Sequence, residues 1–419
     1  MRKKHAISIF AALIALSTGI LIPSISSTPP RTIKIGVIAA STWGMETTVP
    51  LFEKIIEPDI NSYCKKLPNG GPSLRFDFLV EDAEWSKEIH QEKVEQFHAM
   101  GVDLIIGGPW SSMAHYSLDY VNANDMLLVS WSSTFPALSI PGDNLFRLCP
   151  DDTLQGRVLA KMLSSRGITN VIVIQRDDTW GNGVYEAFQV EHEGVILGRF
   201  VYPLDEDGQP AVEDFHSILT AADMAAAGAE NVAVLLFSFD EANQIIIDAS
   251  EGHPFLGPYL NIYGEVSPKE TPWFATESAG RSQRTLEDAP EQAIHLKLLS
   301  ALSTIPSSSK WDDLHEQFLQ RTGEEPNFYT ATLADSAWLL AQSVLEAQMS
   351  TSGDDIAKIL PSVAWRHYGY SGWCLLNDAG DREASDCDIW GFYRQEDGTA
   401  GFKRYGYYHS STGEITWYE

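Results

Sequence analysis

The chain has 419 residues, which is too long for one compact core and suits two domains. Its content of 44% hydrophobic and 21% charged residues is that of a folded globular protein, which excludes wholesale disorder. Acidic residues outnumber Lys and Arg by 57 to 29, a formal net charge of −28, so nucleic acids and anionic membrane surfaces would be repelled and are disfavoured as partners.

Residues 1–28 have the pattern of an export signal. Arg2, Lys3 and Lys4 precede an apolar run over 6–22, and small polar residues and prolines follow it. The run is near the lower length limit for crossing a bilayer, so it is interpreted either as a cleaved signal peptide, which we favour, or as an uncleaved N-terminal anchor. The first cysteine, Cys64, is too far along the chain to be a lipid-modified cysteine after a signal.

From residue 33 onward, short β-branched apolar runs alternate with amphipathic segments of helical length, which predicts a parallel sheet covered on both faces. In the first half the pattern predicts strands at 33–39, 74–81, 104–107 and 127–130, with helices at 47–66, 86–100 and 112–124. The pattern then repeats, with strands at 171–175, 232–237 and 259–264 and helices at 152–166, 181–190 and 241–251.

After a polar connection at 268–290, the segment 293–303 and helices at 311–321 and 330–347 are predicted to return to the first lobe. The tail from 365 onward is rich in Trp, Tyr and Gly and predicts antiparallel strands on the second lobe. The predicted fold class is α/β, with two doubly wound parallel-sheet lobes joined by a multi-strand hinge. Lobe 1 is expected to hold 29–150 and 292–365, and lobe 2 to hold 151–291 and 366–419.

Four cysteines in an exported chain can pair in three ways. Cys374 and Cys387 flank a turn-rich stretch centred between Gly380 and Asp381, so a hairpin with that centre would place the two sulfurs opposite each other. The alternative is that both are independent buried thiols, which behave as small apolar side chains.

Ligands of open α/β sheets bind beyond the carboxyl ends of the strands, so the residues at those positions are the candidate site. Hydroxyl groups follow the third and fourth strands, aromatic rings and acids follow the strands of the second lobe, and Glu265 follows the last of these. Hydroxyls at helix N-termini suit a carboxylate, an acid suits an ammonium group, and aromatic rings suit the rest of the ligand. Together these residue types indicate a zwitterion, although each could be an ordinary cap, core or loop residue.

Several other chemistries have no signature in the chain. Gly181 and Gly183 do not complete a dinucleotide-binding motif, and the chain has no Walker loop. His315 and Glu316 are not followed by a second histidine at zinc spacing, and neither paired CxxC nor a G-x-S-x-G motif occurs. Neither a metal nor a cofactor is therefore predicted.

A set of motifs runs in order along nearly the whole chain after the signal, at 33–37, 107–112, 132–138, 147, 177–181, 263–265, 323–329, 334–337 and 370–372. Together these motifs resemble type I periplasmic binding proteins, in particular the leucine/isoleucine/valine-binding branch. The fold of that branch is shared with the ligand domains of metabotropic glutamate-type receptors.

The resemblance implies a carboxylate-binding group at Ser111, Ser132 (mainly through its backbone) and Thr134. It implies an ammonium-binding acid at Glu265 and aromatic contacts from the second lobe at Trp180 and, more loosely, Phe239. Asp152 matches an acid near the family's hinge, and its alternative interpretation is a capping box with Gln155. Trp43 is an uncertain match to an aromatic residue of the first loop. The chain departs from the branch in having Trp110 and Glu84 where that branch has a disulfide, so the identity of the ligand is not implied.

The resemblance implies an extracytoplasmic solute-binding protein of an ABC-type importer, which binds an amino acid or related small zwitterion by hinge closure and docks on a membrane permease. The alternative is a membrane-anchored extracellular sensor on the same fold, held by the run at 6–22. An enzyme is the less favoured interpretation, based only on acid pairs such as Asp177 and Asp178.

Overall fold

A computed structural model describes residues 31–67, 74–205, 208–253, 255–257, 271–383 and 385–418. The predicted export signal and the predicted strand at 259–264 lie outside these residues. None of the helices described is both long and apolar enough to cross a membrane.

The strands in chain order are β1 (Arg31–Ala39), β2 (Leu74–Asp82), β3 (Leu104–Ile106), β4 (Leu127–Ser130), β5 (Leu145–Arg147), β6 (Asn170–Arg176), β7 (Val195–Tyr202), β8 (Val232–Phe237), β9 (Trp273–Ala275), β10 (Leu299–Ser303), β11 (Tyr368–Gly369), β12 (Gly372–Trp373), β13 (Cys387–Arg394), β14 (Ala400–His409) and β15 (Glu414–Trp417). The helices are α1 (Thr42–Leu51), which continues through a π turn (Phe52–Ile56) into α2 (Glu57–Lys66), α3 (Lys87–Ala99), α4 (Ser111–Ala123), α5 (Asp152–Ser164), α6 (Thr179–Glu191), α7 (His216–Ala226), α8 (Ala242–Ala249), α9 (Gln283–Asp288), α10 (Pro290–His295), α11 (Ser309–Thr322), α12 (Phe328–Glu346) and α13 (Gly353–Ala364).

Two sheets form the centres of the two lobes. The first has the order β2-β1-β3-β4-β5 with all neighbours parallel, and the second has the order β15-β14-β13-β10-β9-β8-β6-β7. In the second sheet the five strands β6 to β10 are parallel, and β13, β14 and β15 extend the sheet as antiparallel strands. The predicted fold class is confirmed.

The central strands of each sheet are buried on both faces, as their apolar sequences require. In the first lobe, alternate residues Ile33, Ile35 and Val37 of β1 pack in one cluster with α1, α2 and the later helices α11 to α13. Ile38 packs in a separate cluster with α3 and α4 on the opposite face. The chain therefore returns to complete the first lobe after building the second.

The predicted point of return differs from the structure. The segment 293–303 was expected in the first lobe, but β10 pairs with β9 and β13 in the second sheet, so the return follows Ser303. The tail also divides, because Tyr370 and Cys374 pack in the first-lobe core whereas β13 to β15 lie on the second sheet.

Within the described residues three chain segments connect the lobes, near Leu148, Thr304 and Arg382, and hydrogen bonds join them. The guanidinium of Arg382 donates to the carbonyl of Leu148 at 3.2 Å, and the amide of Thr304 donates to the carbonyl of Asp386 at 2.8 Å. These bonds tie the connecting segments to one another where the chain passes between the lobes.

Candidate functional site

A cleft of about 470 Å³ lies between the lobes, where the carboxyl ends of both sheets face each other. Its lining residues from both lobes include Ser111, Ser132, Thr134, Trp180, Phe239 and Glu277.

The loop between β3 and α4 is fixed by neutral hydrogen bonds around Gly108. The carbonyl of Gly108 accepts from the hydroxyls of Ser130 at 2.8 Å and Ser133 at 2.7 Å. Its φ of +59° is left-handed, and a Cβ there would lie 2.8 Å from the Cβ of Ala114, so glycine is required. These contacts hold the beginning of α4 at the cleft.

A buried histidine supports the same loop. His90 Nε2 accepts from the amide of Gly108 at 2.8 Å, and its Nδ1 lies 2.8 Å from the hydroxyl of Ser117. Burial lowers the pKa of His90 to about 3, so the ring is neutral at physiological pH and Nε2 is free to accept.

Ser111 is the first residue of α4 and is buried. Its hydroxyl accepts from the amides of Thr134 at 3.3 Å and Phe135 at 3.2 Å, which leaves its proton available to a ligand. The residue before it, Trp110, supplies no side-chain cap to the helix. The first-turn amides and the helix dipole therefore favour an anion at this end of the cleft.

Ser132 and Thr134 continue this wall of the cleft. The hydroxyl of Ser132 donates to the carbonyl of Pro109 at 2.6 Å, so the side chain ties two loops together and its backbone is the part left for a ligand. Thr134 is buried, and its carbonyl accepts from the amide of Asp152 at 2.8 Å.

Four aromatic rings form a chain across the cleft. Trp180 stacks on Phe239 with ring centroids 4.5 Å apart, Phe239 lies 5.9 Å from Trp110, and Trp110 lies 4.8 Å from Trp85. Trp85 and Trp110 follow strands of the first lobe, and the other two follow β6 and β8 of the second. We call these residues the aromatic chain.

Behind the aromatic chain, Arg176 donates hydrogen bonds to three of its neighbours. Its Nε donates to Asp178 at 2.6 Å, Nη1 to Glu241 at 2.8 Å and Nη2 to the carbonyl of Gly208 at 2.9 Å. The guanidinium also lies 4.0 Å from the ring centroid of Phe239.

Glu277 is an acid of the cleft that the sequence did not single out. It follows β9 in a short 3-10 turn, its carboxylate accepts from the hydroxyl of Tyr329 of the first lobe, and its amide donates to Gln155 at 3.1 Å. Burial raises the pKa of Glu277 to about 7. The sequence did not reveal Glu277 as a site residue, because the strand before it, β9, has only three residues and lies inside a stretch interpreted as a connection.

Asp152 lies behind the cleft. Both of its carboxylate oxygens are buried and have no hydrogen-bond partner within the described part of the chain, and it shares a small cavity with Glu277. Burial raises the pKa of Asp152 well above its ordinary value, with a smaller opposing effect from Thr134. The predicted capping box is wrong, since Asp151 is the N-cap of α5 and accepts from the amide of Thr153.

The structure thus brings Ser111, Ser132, Thr134, Trp180 and Phe239 to one cleft. Glu265 lies outside the described residues. The same holds for the side chain of Trp43, whose backbone is in α1.

The predicted Cys374–Cys387 disulfide is wrong, because both thiols are free and buried in separate lobes. A turn does form, but Leu376 faces Arg382, so its centre lies earlier than expected and Cys387 lies beyond the position opposite Cys374. Burial raises the pKa of the Cys374 thiol to about 12. Among the described residues no group of three or more potential ligands could hold a metal ion.

A protein family and several known proteins resemble this chain. A family model described as the receptor family ligand binding region matches residues 62–395. An uncharacterized protein of Methanocaldococcus jannaschii is 25% identical over 416 residues, covering 94% of this chain and 93% of that protein.

Two solved structures share the fold. The ABC transporter substrate-binding protein from Sphaerobacter thermophilus aligns with a TM-score of 0.70 and 17% identity, covering 90% of this chain and 98% of that one. The branched-chain amino acid transporter substrate binding protein from Streptococcus pneumoniae, in complex with isoleucine, aligns with a TM-score of 0.68 and 16% identity, covering 89% and 100%. The chain therefore belongs to the receptor family ligand binding region family and has the fold of type I periplasmic binding proteins.

Proposed function

We propose that the protein is the extracytoplasmic solute-binding component of an ABC-type importer, and that it binds an amino acid or related small zwitterion between its lobes. One observation carries the proposal. A helix N-terminus with the Ser111 hydroxyl faces the cleft from the first lobe, and the half-buried acid Glu277 faces it from the second. A carboxylate suits the first group and an ammonium suits the second.

Family membership and the solved neighbours support a binding protein rather than an enzyme. The ligand docks on the first lobe, where Ser111 and the α4 amides hold its carboxylate. The second lobe then rotates about the three connecting segments, so that Trp180 covers the ligand and Glu277 meets its ammonium group. Closure excludes water, which strengthens both charged contacts.

A thermal-shift screen of residues 29–419 against amino acids, short peptides, amides and polyols tests this proposal. A ligand that binds only the folded state should raise the Tm, with about 2.7 kcal/mol of stabilisation at a hundred times the Kd. If polyols shift the Tm and no amino acid does, the proposed zwitterion site is refuted.

Two variants test the two halves of the site. Ser111→Ala removes a hydrogen bond to a charged group, worth about 1.5 to 3 kcal/mol, so affinity should fall about tenfold or more. Glu277→Gln leaves the ligand's ammonium unpaired and should cost about 3 to 5 kcal/mol. The matched controls are Ser309→Ala, at the first residue of α11, and Glu287→Gln, on exposed α9, and neither should change affinity.

A deaminated analogue checks the charge directly. It should bind wild type far more weakly than the parent amino acid and bind the Glu277→Gln variant with little further loss. Equal binding of the analogue and the parent by wild type would show that the ligand is not recognised through an ammonium group.

A further inference from the structure

The described lining of the cleft carries far more negative charge than a single ammonium group requires. Six acids line it, namely Asp178, Asp240, Glu241, Glu277, Glu324 and Glu325. Among the described lining residues the one cation is Arg176. Asp178 and Glu241 pair with Arg176, and the ammonium group of a neutral zwitterion would meet Glu277, so three acids would have no cation within the described lining, namely Asp240, Glu324 and Glu325.

Arg176 neutralises little of this excess. Its three donor groups are directed at Asp178, Glu241 and the carbonyl of Gly208, all between 2.6 and 2.9 Å. Its single positive charge is therefore shared by Asp178 and Glu241, and Asp240 next to Glu241 is not one of its partners.

Aromatic rings are interleaved with these acids. In the second lobe Asp178 stands two residues before Trp180, and Asp240 and Glu241 directly follow Phe239. The stacked pair of Trp180 and Phe239 already holds one guanidinium, that of Arg176, at 4.0 Å from the Phe239 centroid. Rings beside carboxylates are the arrangement that binds organic cations.

A strained loop supports the first-lobe end of the aromatic chain. Glu84 and Trp85 both have left-handed backbone angles, φ of 51° and 63°, which are unfavourable for residues that carry a side chain. The amide of Trp85 donates to the carbonyl of Ala40 at 2.8 Å, and its ring lies against Trp110 while remaining 39% exposed. Such strain is typical of groups held in place for a ligand.

We propose that the ligand is an amino acid whose side chain carries a second positive charge, an ammonium or guanidinium group, which lies among the aromatic chain and the carboxylates around Asp240. This inference rests on the proposed function and deepens it. The ligand's carboxylate remains with Ser111 and its α-ammonium with Glu277, so the side-chain cation is the additional contact.

The test is calorimetric titration of the purified protein with pairs that differ in charge but hardly in shape. Arginine is compared with citrulline, and lysine with norleucine. The cationic member should bind at least about tenfold tighter, and its advantage should shrink when the salt is raised from about 0.05 M to about 0.5 M.

If citrulline and norleucine bind as tightly as arginine and lysine, this inference is overturned while the proposed amino acid site stands. If none of the four binds and leucine and glutamate also fail, the proposed function fails and this inference fails with it. Glutamate binding more tightly than arginine would also overturn the charge argument.

A variant locates the cation. Asp240→Asn should weaken arginine binding about two- to fivefold, the range of a solvent-accessible ion pair, and leave citrulline binding unchanged. The matched control is Asp177→Asn, which removes the same charge from an exposed neighbouring loop and should change neither affinity. An equal effect of Asp240→Asn on both ligands, or no effect on arginine, contradicts the placement.

Discussion

The raised pKa of Glu277 predicts that ligand affinity depends on pH. Only the ionised carboxylate attracts an ammonium group, and in the ligand-free protein burial raises the pKa of Glu277 to about 7. The groups around it are Gln155 and Tyr329, which hydrogen-bond it, and Asp152, whose own pKa burial raises well above its ordinary value. Glu277 is therefore a group of the cleft whose charge changes between pH 5 and pH 8.

The magnitude follows from that pKa. At pH 8 about nine-tenths of the Glu277 carboxyls are ionised, and at pH 5 about one in a hundred is. Affinity for an amino acid should therefore fall close to a hundredfold from pH 8 to pH 5, about 2.7 kcal/mol. The α-ammonium and α-carboxylate of the ligand keep their charges across this range.

Calorimetric titration at intervals of one pH unit measures the effect, with Glu277→Gln as the control that should show a flat profile at low affinity. A flat profile for wild type would refute the assignment of Glu277 as the ammonium contact. A profile retained in the variant would assign the titration to another group.

The same shift has the opposite effect on the ligand-free protein. A carboxyl whose pKa in the folded state is about 7 and whose ordinary value is 4.5 favours folding at low pH. Its contribution is complete below 4.5 and is lost as the pH rises through 7, up to about 3 kcal/mol. Urea unfolding should show this gain at pH 5 relative to pH 8 in wild type and not in Glu277→Gln.

Three further predictions concern the scaffold. Arg147→Met leaves its fully buried partner Asp381 unpaired, so the free energy of unfolding in urea should fall by about 3 to 5 kcal/mol, and a loss below about 1 kcal/mol would contradict a buried pair. Because burial lowers the pKa of His90 to about 3, its stabilising effect is complete above pH 6.5 and is lost as the pH falls from there toward 3, and NMR should find a neutral ring at pH 5. All four cysteines are free and buried, so they should react with a thiol reagent only after denaturation, and a reductant should leave the Tm unchanged.

Strands buried on both faces were readable from the sequence because a continuous apolar run is their signature. The predicted strand at 127–130 is β4, and that at 232–237 is β8. The edge strand β7 was missed because its residues are mostly half-exposed or exposed. The short strand β9 was missed because it lies inside the polar stretch 268–290, which was interpreted as a connection. Both segments are strands because they pair with neighbours in the second sheet, and their local sequence pattern does not show this.

The candidate site likewise contains residues that the sequence revealed and residues that it did not. Ser111 and Thr134 were found because they directly follow strands that are themselves recognisable. Glu277 could not be found, since its importance comes from Tyr329 of the other lobe, 52 residues later in the chain. The prediction of the disulfide was wrong for a related reason. The register of the turn is set by its pairing with β5 and not by the symmetry of the two cysteines around it.

The two halves of the cleft are built differently, and this predicts how selectivity arises. The first-lobe half is held by neutral hydrogen bonds around Gly108 and Ser111, which are complete without a ligand. The second-lobe half brings charge, through Glu277 and Asp240, and it reaches a ligand only on closure. All amino acids should therefore dock on the first lobe at similar rates, while those that fit the second lobe should hold it closed for longer. Stopped-flow kinetics should accordingly show that arginine and citrulline differ mainly in dissociation rate, whereas a difference confined to association would indicate that charge steers the encounter instead.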